Sequence, residues 1–233
     1  MHSIRAICFD LDNTLWDVGP VIRRAEQAMY GFLAQRYPKI VANLTIEAMR
    51  AARERVLLEH PHMSHDFSFL RKQALREHAS SHGYPESLAE EALEVFLGAR
   101  NQIELYAEVR PALDILRQRY RLFSASNGNA DLQRIGLSHL FERSVAAREV
   151  GAAKPDAVVF LKVIESTGLE PSEVLFVGDD PEDDVEGARR AGMHPVWINR
   201  SGAVWPQEFE PPPHSVTTLD ELMVLLGMGR TTA

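Results

Sequence analysis

Two aspartates one residue apart, Asp10 and Asp12, follow an apolar run in the stretch ICFDLDNTLWD. Three later stretches carry compatible chemistry: SNG at 126–128, AKP at 153–155 and VGDDPEDD at 177–184. Taken singly, each reads as a turn, a helix start or a solvated acidic run. Taken together they supply carboxylates, one lysine and hydroxyl or amide donors. Asp10, Asp12 and Asp179 gathered in one place would repel by roughly 4 kcal/mol per close pair at an effective dielectric near 20. A hard cation relieves that repulsion, and an oxygen-only set with few carboxylates suits Mg²⁺, which keeps waters and shares phosphate oxygens. Lys154 adds a positive point charge, while Ser126 and the amides around Asn127 and Gly128 offer donors to an anion. That combination is suited to phosphoryl transfer.

The elements around these residues must bring them together. Residues 4–9, IRAICF, read as a short buried strand. Residues 17–108 change character, with helical stretches expected at about 19–36, 45–59, 66–82 and 86–105. Pro38, the Asn43–Thr45 segment, HPHMSH at 60–65 and GYP at 83–85 separate them. From residue 109 helices and strands alternate: ALDILRQR, then strand YRLFSAS, a helix near 130–137 and strand SVAA. A helix over 155–167, strand VLFVGD, a helix over 182–191, strand PVWI and helix TLDELMVLL follow. Strands separated by helices imply parallel crossovers, so the expected fold is α/β, a Rossmann-like doubly wound parallel sheet. The helical block reads as a cap inserted into that core, with 1–16 and 109–233 as core and 17–108 as cap. In open α/β sheets the ligand crevice lies beyond the carboxyl ends of the strands. Asp10, Ser126 and Asp179 all fall at such ends.

Bulk properties narrow the partner. With 25 basic and 33 acidic residues among 233, the net charge is −8, which argues against a nucleic acid or an anionic membrane surface. A small molecule or another protein remains, and oligomeric state is left open. The single cysteine, Cys8, forms no internal disulfide, which points to a reducing compartment. The first apolar run is too short for a signal-peptide core, and no later stretch approaches the length of a membrane span. A cytoplasmic location is therefore expected.

The four motifs, in this order, resemble those of the haloacid dehalogenase (HAD) superfamily, in particular its phosphatases with a helical C1-type cap. The core likeness covers about 1–16 and 109–226. SNGNADL and VGDDPEDDVEGARRAGM, followed by PVWI, are most similar to the bacterial flavin mononucleotide and pyrimidine phosphatases. The resemblance implies that Asp10 is the nucleophile, forming an aspartyl-phosphate. Asp12 would protonate the leaving alcohol and then deprotonate the hydrolytic water. Asp10, the backbone carbonyl of Asp12 and Asp179 would hold Mg²⁺. Ser126, Asn127 and Lys154 would bind phosphoryl oxygens, and Asp184 with Asp183 would orient metal waters or Lys154. Cap closure would then exclude bulk water and choose the leaving group.

Haloacid dehalogenases of the superfamily lack an acid at the Asp12 position, since a halide needs no proton, so Asp12 favours phosphate esters. The implied substrate is a small phosphorylated metabolite, flavin mononucleotide or a riboflavin-pathway phosphate first, a nucleoside monophosphate or sugar phosphate second. A phosphomutase shares the aspartyl-phosphate. A receiver-like regulatory module shares the acids and lysine but predicts no long helical insertion. An inactive member serving as an interaction partner is disfavoured because every catalytic position is filled.

His60, His62 and His65 read as a solvated inter-helix loop in preference to a metal site. Cys8 and Trp197 read as core, and Trp16 as a possible substrate contact. Trp205 suits surface packing or an oligomer contact equally. Ser124, two residues before Ser126 on the same strand face, competes with it for the phosphate role. Asp180 adds charge without an evident purpose.

Overall fold

The apolar run before Asp10 becomes the middle of a parallel sheet in this computed structural model, which describes residues 4–42 and 44–228. In chain order the elements are β1 (Ala6–Phe9), α1 (Val18–Arg36), α2 (Pro38–Val41), α3 (Ile46–Glu59), α4 (Phe67–Ser81) and α5 (Leu88–Arg100). Next come α6 (Val109–Leu116), β2 (Arg121–Ser126), α7 (Leu132–Ile135), β3 (Arg143–Ala146), α8 (Ala147–Val150), α9 (Ala157–Ile164) and β4 (Val174–Gly178). After a π-helical turn over Pro181–Glu186 the chain adds α10 (Gly187–Arg190), β5 (His194–Ile198), β6 (Ser215–Val216) and α11 (Leu219–Leu225).

The six strands run in the order β3-β2-β1-β4-β5-β6, and each neighbouring pair is parallel. The chain thus forms the expected doubly wound sheet, and the winding reverses between β1 and β4. A ligand crevice is expected beyond that reversal. Asp10 and Asp179 are the residues that follow β1 and β4. Strands buried on both faces read as continuous apolar runs, as AICF and VLFVG do. One face packs Cys8, Phe123 and Phe176 against Phe160 and Val163 of α9, with the Phe160 and Phe176 rings 4.7 Å apart. Full burial of each such side chain is worth about 2–3 kcal/mol.

The described residues divide into two compact units. One holds the residues up to Asp17, Glu104–Gly128 and those from Leu132 onward; the other holds Val18–Ile103 with Asn129–Asp131. The second unit is helical and has its own apolar core, including Leu33, Leu75 and Phe96. Its helix starts follow from capping chemistry: Thr45 accepts from the Ala48 amide at 3.2 Å, and Asp66 accepts from the Ser68 and Phe69 amides. Buried Glu26 pairs with Arg50. Arg71 lies 3.6 Å over the Phe96 ring, and burial pushes its pKa down to about 9.

The structure departs from the sequence expectations in several places. The stretch expected as one helix over 182–191 is split, because the amides of Asp184 and Val185 both donate to the Asp180 carbonyl and widen the first turn. The helix expected over 86–105 spans Leu88–Arg100. Strand β6 was not anticipated; two residues carry too little pattern to announce a strand. Of the Asn43–Thr45 segment, Asn43 lies outside the described residues, as do 1–3 and 229–233 of the expected core.

Candidate active site

Asp10 leaves β1 with its backbone amide donating to the Val177 carbonyl of β4 at 2.9 Å, which registers the two strand ends. Its side chain is buried. Lys154 reaches it from the loop before α9. The ammonium donates to Asp10 Oδ1 at 2.6 Å and to Asp184 Oδ1 at 2.5 Å. Burial works against that charge, but the two carboxylates outweigh it and raise the lysine above its ordinary value. Lys154 is therefore held as a cation.

Carboxylate oxygens of Asp10, Asp179 and Asp184 all lie within 4.8 Å of one another. One ammonium against three acids leaves the cluster short of positive charge, and each ionised pair costs roughly 3 kcal/mol or more at that spacing. Asp179 shows the consequence: burial, with Asp184 adding to it, pushes its pKa up to about 7. Burial also raises Asp10, against the pull of Lys154. An all-oxygen, partly buried donor set with excess negative charge fits a hard divalent cation. The resemblance puts the Asp12 backbone carbonyl among the metal's ligands and has Asp184 orient metal waters or Lys154. In the structure Asp184 does hold Lys154, and its carboxylate also joins the cluster.

Asp184 gains this place through Gly178 and the π-helical turn. A Cβ on Gly178 would lie 2.3 Å from the Asp184 carboxylate, so only glycine lets that side chain cross the end of β4. Asp184 Oδ2 accepts from the Asp180 amide at 3.0 Å. Asp180 itself caps the turn by accepting from the Glu182 and Asp183 amides. That accounts for a residue whose purpose the sequence left open.

Asn127, expected on the phosphate, is used differently. Its Oδ1 accepts from the Lys154 amide at 2.7 Å, and its Nδ2 donates to the Lys154 carbonyl and to Asp183 Oδ2, each at 3.0 Å. With both polar ends engaged, the side chain anchors the lysine loop. Asp183, raised to about 6 chiefly by burial, supports Lys154 through Asn127. Ser126 ends β2, and its hydroxyl accepts from the Gly128 amide at 3.0 Å, leaving its own proton free to donate. Ser124 is buried inside β2, and its hydroxyl meets that of Ser144 in β3 at 2.6 Å.

Asp12 lies in a tight loop built on Asn13, whose φ is 59°, a left-handed conformation that asparagine tolerates. The Asn13 amide donates to the Trp16 carbonyl at 2.7 Å and the Leu15 amide to the Leu11 carbonyl at 2.8 Å. Trp16, expected as a substrate contact, is fully buried, and its indole N–H donates to Asp12 Oδ1 at 2.8 Å. Two further supports went unnoticed in the sequence. Trp197 donates from Nε1 to the Asp179 carbonyl at 2.8 Å, and Thr14 Oγ1 donates to Asp179 Oδ1 at 3.5 Å. Arg200 donates to the Thr14 carbonyl and to Glu108, both at 2.8 Å. A cleft of about 760 Å³ opens beside Asp179, lined among others by Asn13, Tyr106, Trp197 and Arg200. Trp205 packs edge-on to Trp197 with ring centroids 5.0 Å apart. His60 packs edge-on to His62 and Phe69.

Residues 4–192 match the family model of the haloacid dehalogenase-like hydrolases. The chain belongs to that family. Among HAD-like hydrolases it is 32% identical to the 5-amino-6-(5-phospho-D-ribitylamino)uracil phosphatase YigB of Escherichia coli, over 85% of this chain and 84% of that one. The crystal structure of a 2-haloacid dehalogenase from Pseudomonas syringae pv. Tomato superposes with a TM-score of 0.90 at 36% identity, covering 96% of this chain and 98% of that one. A HAD phosphatase from Thermococcus onnurineus superposes with a TM-score of 0.70 at 28% identity, covering 98% and 100%. Similar HAD-like hydrolases thus include both phosphatases and dehalogenases, and the choice between them falls to the side chains.

Proposed function

We propose that this HAD-like hydrolase is a Mg²⁺-dependent phosphomonoesterase acting through an aspartyl-phosphate on Asp10. One observation carries the choice: a second carboxylate, Asp12, stands two residues beyond Asp10 and is held in place by a hydrogen bond. Breaking an alkyl phosphate ester releases an alkoxide that needs a proton, and expelling a halide does not. In this reading an oxygen of Asp10 forms a bond to phosphorus as the bond to the leaving oxygen breaks. The electron pair of that bond and the proton of Asp12 both go to the leaving oxygen. Asp12, now a carboxylate, takes a proton from the water that attacks phosphorus in the second step, and Asp10 is released.

Lys154 donates to Asp10, opposing the burial that disfavours its charge, and offers positive charge to the phosphoryl oxygens, and the Ser126 hydroxyl donates to them. Asp10, Asp179 and Asp184, with the Asp12 carbonyl, are the residues that would hold Mg²⁺. The ion would supply charge that balances the carboxylates and the phosphate together. The helical unit, Val18–Ile103 with Asn129–Asp131, is assigned as the cap that selects the substrate. The favoured substrate is a small phosphorylated metabolite such as a riboflavin-pathway phosphate, a choice supported by the likeness to the ribitylaminouracil phosphatase. A cytoplasmic location belongs to the same reading, supported by the single, buried cysteine.

The Pseudomonas likeness favours a second reading, dehalogenation of a 2-haloacid. A screen of phosphate release over a panel of monoesters, with Mg²⁺ and with chelator, run beside halide release from 2-haloacids, separates the two. Metal-dependent phosphate release that is lost in Asp10→Asn is expected. Halide release without phosphate release would replace this reading with the dehalogenase.

A further inference from the structure

Trp16 has no evident reason to be a tryptophan if it only fills space at the edge of the sheet. Its backbone bridges to Asp12 and to Leu105, its carbonyl accepts from Asn13, and its ring is fully buried. The backbone that carries the indole is thereby pinned, and the indole's one polar atom points at one oxygen of one carboxylate, 2.8 Å away. An indole N–H can donate and cannot accept. Asp12 Oδ1 is therefore the acceptor in that bond, and since an oxygen that carries no proton is the stronger acceptor, the bond favours placing any proton of Asp12 on Oδ2.

We infer that Trp16 is a positioning residue that selects which oxygen of Asp12 handles the proton, Oδ2, and aims that oxygen at the leaving group. This rests on the phosphatase reading, in which Asp12 protonates the departing alkoxide. A carboxylic acid free to rotate would present its proton in several directions. One whose Oδ1 is tethered presents it in one, and well-oriented groups gain much of their rate from such restriction. The balance of the step is unchanged: the proton leaves Asp12 Oδ2 for the ester oxygen as the phosphorus–oxygen bond breaks, and the proton of the hydrolytic water later returns to the same atom. Trp16 neither gives nor takes a proton.

The test compares Trp16→Phe with the parent on two esters. Phenylalanine keeps most of the buried ring and removes the donor. An alkyl phosphate needs the proton; para-nitrophenyl phosphate, whose phenolate leaves unaided, does not. General acid catalysis is worth about 10²–10⁴-fold, so Trp16→Phe is expected to lower kcat on the alkyl ester at least ten-fold more than on the aryl ester, with KM little changed. A purely structural role would depress both esters equally, and that result would overturn the inference.

A second measurement does not depend on turnover. In ¹H–¹⁵N spectra the indole N–H resonance absent from Trp16→Phe identifies Trp16. It is expected downfield of its position in Asp12→Asn, because a carboxylate is the stronger acceptor. An unmoved resonance would overturn the tether. A shifted resonance together with absence of turnover on every ester would leave the tether standing and sink the phosphatase reading instead.

Discussion

Asp179 is the residue at which proton and metal would compete. Its pKa of about 7 arises from burial first and the Asp184 carboxylate second, both of which disfavour the anion. A ligand must be deprotonated to bind a metal. Above pH 7 Asp179 is mostly ready; below it, binding has to displace a proton. The half-saturating Mg²⁺ concentration for phosphate release is therefore expected to rise about ten-fold between pH 8 and pH 6. An unchanged requirement would mean that Asp179 is not a ligand. At this scale the sequence was legible in part. Asp10 and Asp179 were readable because acids at the ends of strands have few other reasons to converge, and Lys154 because AKP stands in order with the other three motifs. The engagement of Asn127 with the lysine loop, of Asp184 with the cluster and of Trp16 with Asp12 was not, because each depends on where a side chain turns within a loop.

At the scale of elements, the end of β4 and the π-helical turn after it act as one part. Gly178 leaves room for Asp184, Asp180 caps the turn, and the doubled use of the Asp180 carbonyl sets Asp184 inward. Gly178→Ala is expected to displace the Asp184 carboxylate and weaken its hold on Lys154. Overpacking of this kind costs about 1–3 kcal/mol. The expected result is a loss of that size in urea unfolding, with kcat reduced at least ten-fold. Unaltered kcat would show that the site tolerates Asp184 moving. The turn was read from sequence as plain helix because PEDDVE carries an ordinary helix-start pattern, and nothing in residue type distinguishes a five-residue from a four-residue return of the chain. Helix existence, by contrast, was well announced in the stretch before residue 109, where Ala, Leu, Glu and Arg dominate.

At the scale of the whole molecule, the two units separate by chemistry. Asp10, Asp179 and Asp184 belong to the α/β unit, and the helical unit holds its own apolar core. A ligand that binds only the folded site stabilises by mass action. Mg²⁺ at about 100 times its Kd is expected to add roughly 2.7 kcal/mol to the α/β unit. Native-state hydrogen exchange reads this as slower exchange in β1, β2 and β4. Slowing confined to α1–α5 would place the ion elsewhere.

The position of β1 has a consequence for how the chain is made. Ala6 pairs with Arg121 on one side and Val174 on the other. The ribosome thus releases the central strand first and its two neighbours much later. At about 5–20 residues per second, Val174 follows Ala6 by roughly ten to thirty seconds. Until β2 is made AICF is an apolar strand with neither neighbour available, and until β4 is made it has only one; α1 to α5 are synthesised in one continuous run in between. Asp10 is thus made well before the residues of β4 and of the loop before α9 that come to surround it. A nascent chain has most need of a chaperone at β1, until β2 and β4 follow.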